Sequence, residues 1–305
     1  MTAAGESEDT EELAAGPTCS TWAREAGIDP IGTAGSYRGY LLVEWPLPWP
    51  RDMAEVPALA PVAEAARSAA MRLQGLVPAA GSGPVHVAAY RWPDRGACFE
   101  RAELEVAPGE QAEAALAVLG EPARRSDMID VLVCTHGRRD RCCGSLGTSL
   151  AQQLSPPALG EGVRLWRTSH TGGHRFAPTA IVLPYGTAWA FCDREALEKI
   201  VHREGPLEDL LPRYRGCSGL GSSAVQALER AVLAELGWEL FDMPRRGEDL
   251  GEDRVALTVE HPDGTTSVWE ALVRGESRPV PDCGRPVELA TKHEPQWSLR
   301  DLRRR

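Results

Sequence analysis

The order of its predicted elements makes this 305-residue chain an α/β protein. Three observations predict it. A β-α-β-β-α succession recurs with one added strand the second time, the strand-like runs are rich in Val, Leu and aromatic residues, and glycine or proline closes most helical stretches. The length exceeds one ordinary domain and suits two of about 100–150 residues each. Hydrophobic residues make up 43% of the chain, enough to build buried cores.

The first succession begins with a strand over 38–46, stopped by Pro46. An Ala-rich helical spacing follows over 62–76. Strands over 85–92 and 97–106 flank the turn at Pro93, Asp94 and Gly96, and a short helix over 110–119 ends at Gly120. The second succession opens with an apolar strand over 129–134, then a helix over 147–154 that Pro156 ends. Strands over 163–168, 179–183 and 187–191 come next. Asp193 is an N-cap for a helix over 194–204, stopped at Gly205 and Pro206. This order is the thioredoxin-like arrangement, and the second half fits it better. Each half also carries Arg-Asp after its first strand, at Arg51-Asp52 and Arg139-Asp140, so the halves are candidates for a duplication. Beyond them lie an amphipathic helix over 224–236 and a β-hairpin whose arms, 255–260 and 266–273, turn at Pro262-Asp263-Gly264.

Composition excludes several functions. The net charge is −11, and apart from the last few residues nothing in the sequence suggests a basic face for a nucleic-acid backbone. Arg300, Arg303, Arg304 and Arg305 form a short basic run, expected to be a solvated, frayed end. The longest apolar runs are too short to span a bilayer. The start is acidic and small, without the basic and apolar segments of a signal peptide, which leads to an expectation of a cytoplasmic protein with a disordered leader. In a reducing compartment, clustered cysteines point to metal or redox chemistry rather than a disulfide framework. Of eight cysteines, Cys134, Cys142 and Cys143 fall together. Cys19, Cys98, Cys192, Cys217 and Cys283 are scattered singly, and most of them read as inert thiols. The nine tryptophans are spread out and read as packing residues.

Two loops carry the chemistry. CTHGRRDRCCG, 134–144, follows one predicted strand, and SHTGGHRFAP, 169–178, follows the next. Loops at the same end of neighbouring parallel strands lie side by side, so a cysteine pair and a histidine pair should meet. Thiolates select iron–sulfur clusters, zinc or Cu(I), and imidazole suits iron and zinc. Gly172 and Gly173 let the backbone curl round a bulky core. Two thiolates and two imidazoles form the donor type of Rieske centres, but they are also a normal zinc set. Spacing alone does not separate the two, although nine positions from Cys134 to Cys143 exceed the usual zinc-finger interval. Cys142 is read as a spare thiol beside the ligand Cys143, and His136, Arg139, Asp140 and Arg175 as hydrogen-bonding support around the ligands.

The runs VCTHGRRDRCCGSLG and SHTGGHRFAPTAIVLPYG resemble the sucrase/ferredoxin-like family, thioredoxin-like [2Fe-2S] ferredoxins. The likeness is specific over 125–205 and extends more weakly to Cys19-Ser20-Thr21, Gly32-Thr33-Ala34 and Tyr214-Arg215-Gly216. It implies that Cys134, Cys143, His170 and His174 hold a [2Fe-2S] cluster. The chain departs from the pattern at Cys142, where a basic residue is usual, and at Ala177-Pro178-Thr179. No carboxylate pair is placed for glycoside hydrolysis.

The expected organisation is an acidic leader (1–17), an N-terminal α/β domain without cluster ligands (18–122), a thioredoxin-like ferredoxin domain (123–245) and a C-terminal hairpin extension (246–305). The expected function is electron transfer between unidentified redox protein partners. The acidic surface suits a basic partner patch. The alternatives are a zinc-stabilised structural or interaction protein using the same four residues, and a thiol–disulfide redox protein.

Overall fold

The computed structural model describes residues 17–79, 81, 83–154 and 159–305. The predicted leader lies outside these residues except for Pro17. The chain opens with a short helix, α1 (Cys19–Glu25), capped by the Thr18 hydroxyl. It then runs β1 (Gly39–Glu44), α2 (Ala60–Ser68), β2 (Met71–Leu76), β3 (Val85–Arg91), β4 (Glu100–Val106) and α3 (Gln111–Ala117). The second run is β5 (Ile129–Cys134), α4 (Thr148–Gln153), β6 (Val163–Thr168), β7 (Ala180–Leu183), β8 (Thr187–Trp189) and α5 (Arg194–His202).

The two runs have the same connectivity. β1 pairs parallel with β2 and antiparallel with β3, which pairs with β4. β5 pairs parallel with β6 and antiparallel with β7, which pairs with β8. β9 (Tyr214–Cys217) extends the second run beyond β8. Both are thioredoxin-like, and they join into one nine-stranded sheet, β4-β3-β1-β2-β6-β5-β7-β8-β9, which crosses the 122/123 division drawn from the sequence.

The join positions the site. β2 and β6 are antiparallel and meet only at their C-terminal ends, where Leu76 faces Thr168. The Val77 amide donates to Arg167 O (2.9 Å) and the Ser169 amide to Gly75 O (2.8 Å). The strand ends of both halves therefore converge on this junction, and the loops following β1, β5 and β6 crowd together.

Period-2 alternation distributes the core. Tyr40 and Leu42 of β1 face a core shared with Val131, Val133 and Trp189, while Leu41 and Val43 face a second core under α2 and α3. Each fully buried aliphatic side chain contributes about 1.5–3 kcal/mol. A buried network also ties the halves together. Asp130 of β5 accepts two bonds from Arg164 (2.6 and 2.7 Å) and one each from the Trp166 indole (2.7 Å) and the Tyr90 hydroxyl of β3.

The helix predicted over 62–76 is half helix and half strand. Ala70 adopts a left-handed φ of 52°, and β2 begins at Met71. The Ala-rich segment has helical propensity throughout, but Met71 to Leu76 align residue by residue with β1, a pairing that local periodicity does not register.

After β9 come α6 (Ser223–Leu236) and a four-stranded antiparallel meander of β10 (Arg245–Gly251), β11 (Arg254–Glu260), β12 (Thr266–Val280) and β13 (Lys292–Arg304). The predicted hairpin is β11–β12. The arginine-rich tail, expected to fray, is instead the end of β13: Arg303 faces Glu270 and Arg304 faces Trp269. Arg304 stacks on the Trp269 ring at 5.2 Å, and Arg305 pairs with Glu270 at 3.3 Å. Cross-strand partners thus order a segment that looked like a solvated end. Among the described residues, no helix is long and apolar enough to cross a membrane.

Candidate metal centre

β5 ends at Cys134, and the polar loop returns through a π-helical turn, Cys143–Gly147, into α4. This turn packs hard against the strand end. A Cβ on Gly147 would lie 1.9 Å from the Cys134 carbonyl oxygen, and one on Gly144 would lie 2.5 Å from Gly137 Cα. Glycine at these positions brings Cys143 back beside Cys134. The parallel neighbour β6 delivers the histidine loop, where Gly172 (φ 88°) and Gly173 (φ 68°) are both left-handed.

Arg215, at the start of β9, is fully buried and fixes that loop. It donates to Gly172 O (3.2 Å), to Thr33 Oγ1 (3.0 Å) and to Thr33 O. Burial pulls its guanidinium down to about 10. From the other half, Arg72 donates to His170 O, and Gln74 Nε2 donates to Ser169 Oγ (2.7 Å).

The donors fall into two neighbouring groups. In the first, Cys134, Cys143 and His170 place their ligand atoms within 4.8 Å of one another. His170 Nδ1 is 3.9 Å from Cys134 Sγ and 4.0 Å from Cys143 Sγ. Both thiols are fully buried. A hydrogen bond from Cys143 holds the Cys134 thiol well below its ordinary range, assisted against burial by His170 and the His136 amide. Cys143, the donor, is pushed up. The pair thus favours one thiolate even before a metal binds.

His174 is adjacent to this group but outside it. Its ring centroid is 6.1 Å from that of His170, and its Nδ1 lies 2.9 Å from Asp140 Oδ2 and 3.4 Å from Cys19 Sγ. Burial raises the Asp140 carboxyl, but the His174 ring and the Cys142 amide outweigh it and hold the group below its usual value. Asp140 therefore orients His174 and leaves Nε2 available.

The other supporting residues are placed as follows. His136 is buried edge-on to Trp49 at 5.6 Å between centroids, and both its ring nitrogens lack a hydrogen-bond partner among the described residues. Arg139 shares a cleft of about 340 Å³ with His136, His170 and Arg51. Arg175 is buried and pairs with Glu294 of β13, so it anchors the C-terminal strand to the histidine loop.

The second group corrects the expectation that Cys19 and Cys283 stand apart from the other cysteines. Cys19 and Cys283, read as scattered thiols, and Cys142, read as spare, meet in one cluster with Asp140. Their separations along the chain, 123 and 141 residues, hide this from any spacing rule. A weak signal existed for Cys19, in the segment that extends the family likeness. The same is true of Thr33 and Arg215. Nothing in sequence marked Cys283, Arg72 or Trp49.

Fold and donors together define a thioredoxin-like α/β protein with Cys/His groups able to hold metal. The chain matches the family model described as Sucrase/ferredoxin-like over residues 30–216, and it belongs to that family. No curated protein and no solved structure matches it.

Proposed function

We propose that Cys134, Cys143, His170 and His174 hold a [2Fe-2S] cluster and that the protein transfers single electrons between redox partner proteins. The observation that supports the reading is the grouping of two buried thiols with the His170 imidazole, from loops at the same end of parallel strands and with His174 adjacent, in a chain of this family. The donor set fits the group. Two soft thiolates suit one iron and two imidazoles the other. A cluster bound there would supply one reversible electron at a potential above that of all-cysteine centres.

The chain's own residues define how that electron would leave. The thiols are fully buried, whereas His174 keeps 15% of its side chain exposed and lines a cleft of about 320 Å³. The imidazole edge therefore faces a partner. Around the two clefts stand Arg51, Arg72, Arg138, Arg139, Arg141 and Lys292. The rim is locally basic although the whole chain is acidic, so the proposed docking partner presents carboxylates, not the basic patch that net charge suggested.

A second reading is zinc at the same four residues. Sulfur–nitrogen separations of 3.9 and 4.0 Å suit donors sharing a single ion. Purification without oxygen separates the readings. The cluster gives a red-brown protein with about two irons per chain, and His170→Ala with His174→Ala abolishes the colour. A colourless wild-type protein whose first site holds zinc sinks the electron-transfer proposal.

A further inference from the structure

We propose that Cys19, Cys142 and Cys283, with the carboxylate of Asp140, form a second metal site that binds zinc. The three sulfurs make a closed triangle: 3.5 Å from Cys19 to Cys142, 3.0 Å from Cys142 to Cys283 and 3.2 Å from Cys283 to Cys19. Asp140 Oδ1 lies 3.8 Å from Cys283 Sγ, and all four donor atoms fall within 4.8 Å of one another. Cys19 and Cys142 are fully buried and Cys283 partly so.

Chance packing accounts poorly for this arrangement. The thiols come from three separate chain segments: α1, the loop after β5, and the segment after β12. Each is aimed at the same point. A disulfide joins only two of three, and the separations exceed a sulfur–sulfur bond by about 1 Å or more. One zinc satisfies all three. Around tetrahedral zinc, sulfurs sit about 3.8 Å apart, so binding requires the triangle to open by less than about 1 Å. Three thiolates and one carboxylate complete a closed, four-coordinate set of the structural kind. The reaction is ligand exchange without electron transfer: Zn²⁺ displaces the thiol protons, which leave to solvent.

The site would staple the C-terminal segment to the ferredoxin-like half. The Cys19 amide already points at Cys283 Sγ (3.4 Å), and the Gly284 amide donates to Pro17 O (3.4 Å). Asp140 would also couple the two centres, since its Oδ2 orients His174 while its Oδ1 faces the triangle.

The test is zinc and iron content of the full-length protein purified without oxygen, with native mass spectrometry of the wild type. One zinc per chain is expected. Cys19→Ser and Cys283→Ser should each lower retained zinc at least tenfold after mild chelation, and Cys283→Ser should preserve the visible spectrum. The pair His170→Ala with His174→Ala should lose the iron colour and keep the zinc, so this proposal and the electron-transfer reading fail separately. If the serine variants do not fold, alkylation of the wild type decides: Cys19, Cys142 and Cys283 should be protected until a chelator is added. A zinc-free wild type with reactive thiols overturns the site. So does a Cys142–Cys283 disulfide, or zinc that survives Cys283→Ser but vanishes with the histidine pair.

Discussion

The guanidinium of Arg215 occupies the space that a side chain on Gly173 would need: a Cβ there would lie 2.4 Å from Arg215 Nη2 and 2.7 Å from Cζ. Residue 173 is also left-handed, at φ 68°. The histidine loop is therefore held by a glycine that cannot be larger and an arginine that is fully buried.

Gly173→Ala should accordingly displace His174 more than it unfolds the protein. The expected result is loss of bound metal with an unchanged far-ultraviolet circular dichroism spectrum. The left-handed conformation alone costs an alanine about 1–2 kcal/mol, and the clash adds to it. Retention of full metal content would show that the loop tolerates the shift. Arg215→Lys should mimic the loss in part, because a lysine keeps the charge but not the forked bonds to Thr33 and Gly172.

Gly147→Ala tests the other loop. Its Cβ would lie 1.9 Å from the Cys134 carbonyl, where backbone must move. Cys134 and Cys143 should separate, and metal retention should fall while the rest of the sheet stays intact. The measurement is metal content beside the thermal midpoint. A variant that keeps its metal would remove the π-helical turn from the account of the site.

Asp130 gives a pH prediction. Burial raises its carboxyl, but Arg164, Tyr90 and Trp166 together hold it below the ordinary value of 3.8. A carboxyl depressed in the folded state is more protonated in the unfolded chain, so stability rises with pH through that window. The contribution is complete above the unfolded value and is lost as pH falls through the folded one. Asp130→Asn should cost about 1–3 kcal/mol at pH 7, because Arg164 loses its buried carboxylate but keeps Glu103 at 2.6 Å. The gap from wild type should shrink as the pH drops below 4. Urea unfolding of both proteins at pH 7 and pH 3.5 checks it, and a gap that widens in acid would reverse the sign.

Glu294→Ala should leave Arg175 buried without its carboxylate. The expected cost is about 3 kcal/mol. Faster hydrogen exchange over 292–304 and 174–177 is expected in the same variant, since this pair joins β13 to the histidine loop. Exchange confined to β13 would show that Arg175 is held by other contacts.

Much of the layout is legible in the sequence because it rests on local rules. Apolar strand length placed β5, Asp193 capped α5, and Pro262-Asp263-Gly264 turned the β11–β12 hairpin. Where the structure differs, the deciding partner is distant. Met71 to Leu76 is a strand because β1 lies beside it, and the tail arginines are ordered because β12 offers Glu270 and Trp269. The Arg51-Asp52 and Arg139-Asp140 echo was a weak hint of repetition. Shared connectivity gives it content, since Arg51, Asp52 and Arg139 line one cleft.

The same division holds at the candidate site. The sequence alone determined which residue types could bind metal and that they sit in two glycine-bearing loops after successive strands, since strand order and short-range spacing are written along the chain. Only the tertiary structure decided that Cys19 and Cys283 join Cys142, that Asp140 faces both groups and that Arg215 pins the histidine loop. Cys19 meets Cys142 and Cys283 across more than a hundred positions of chain, and no local pattern encodes where segments so distant come together.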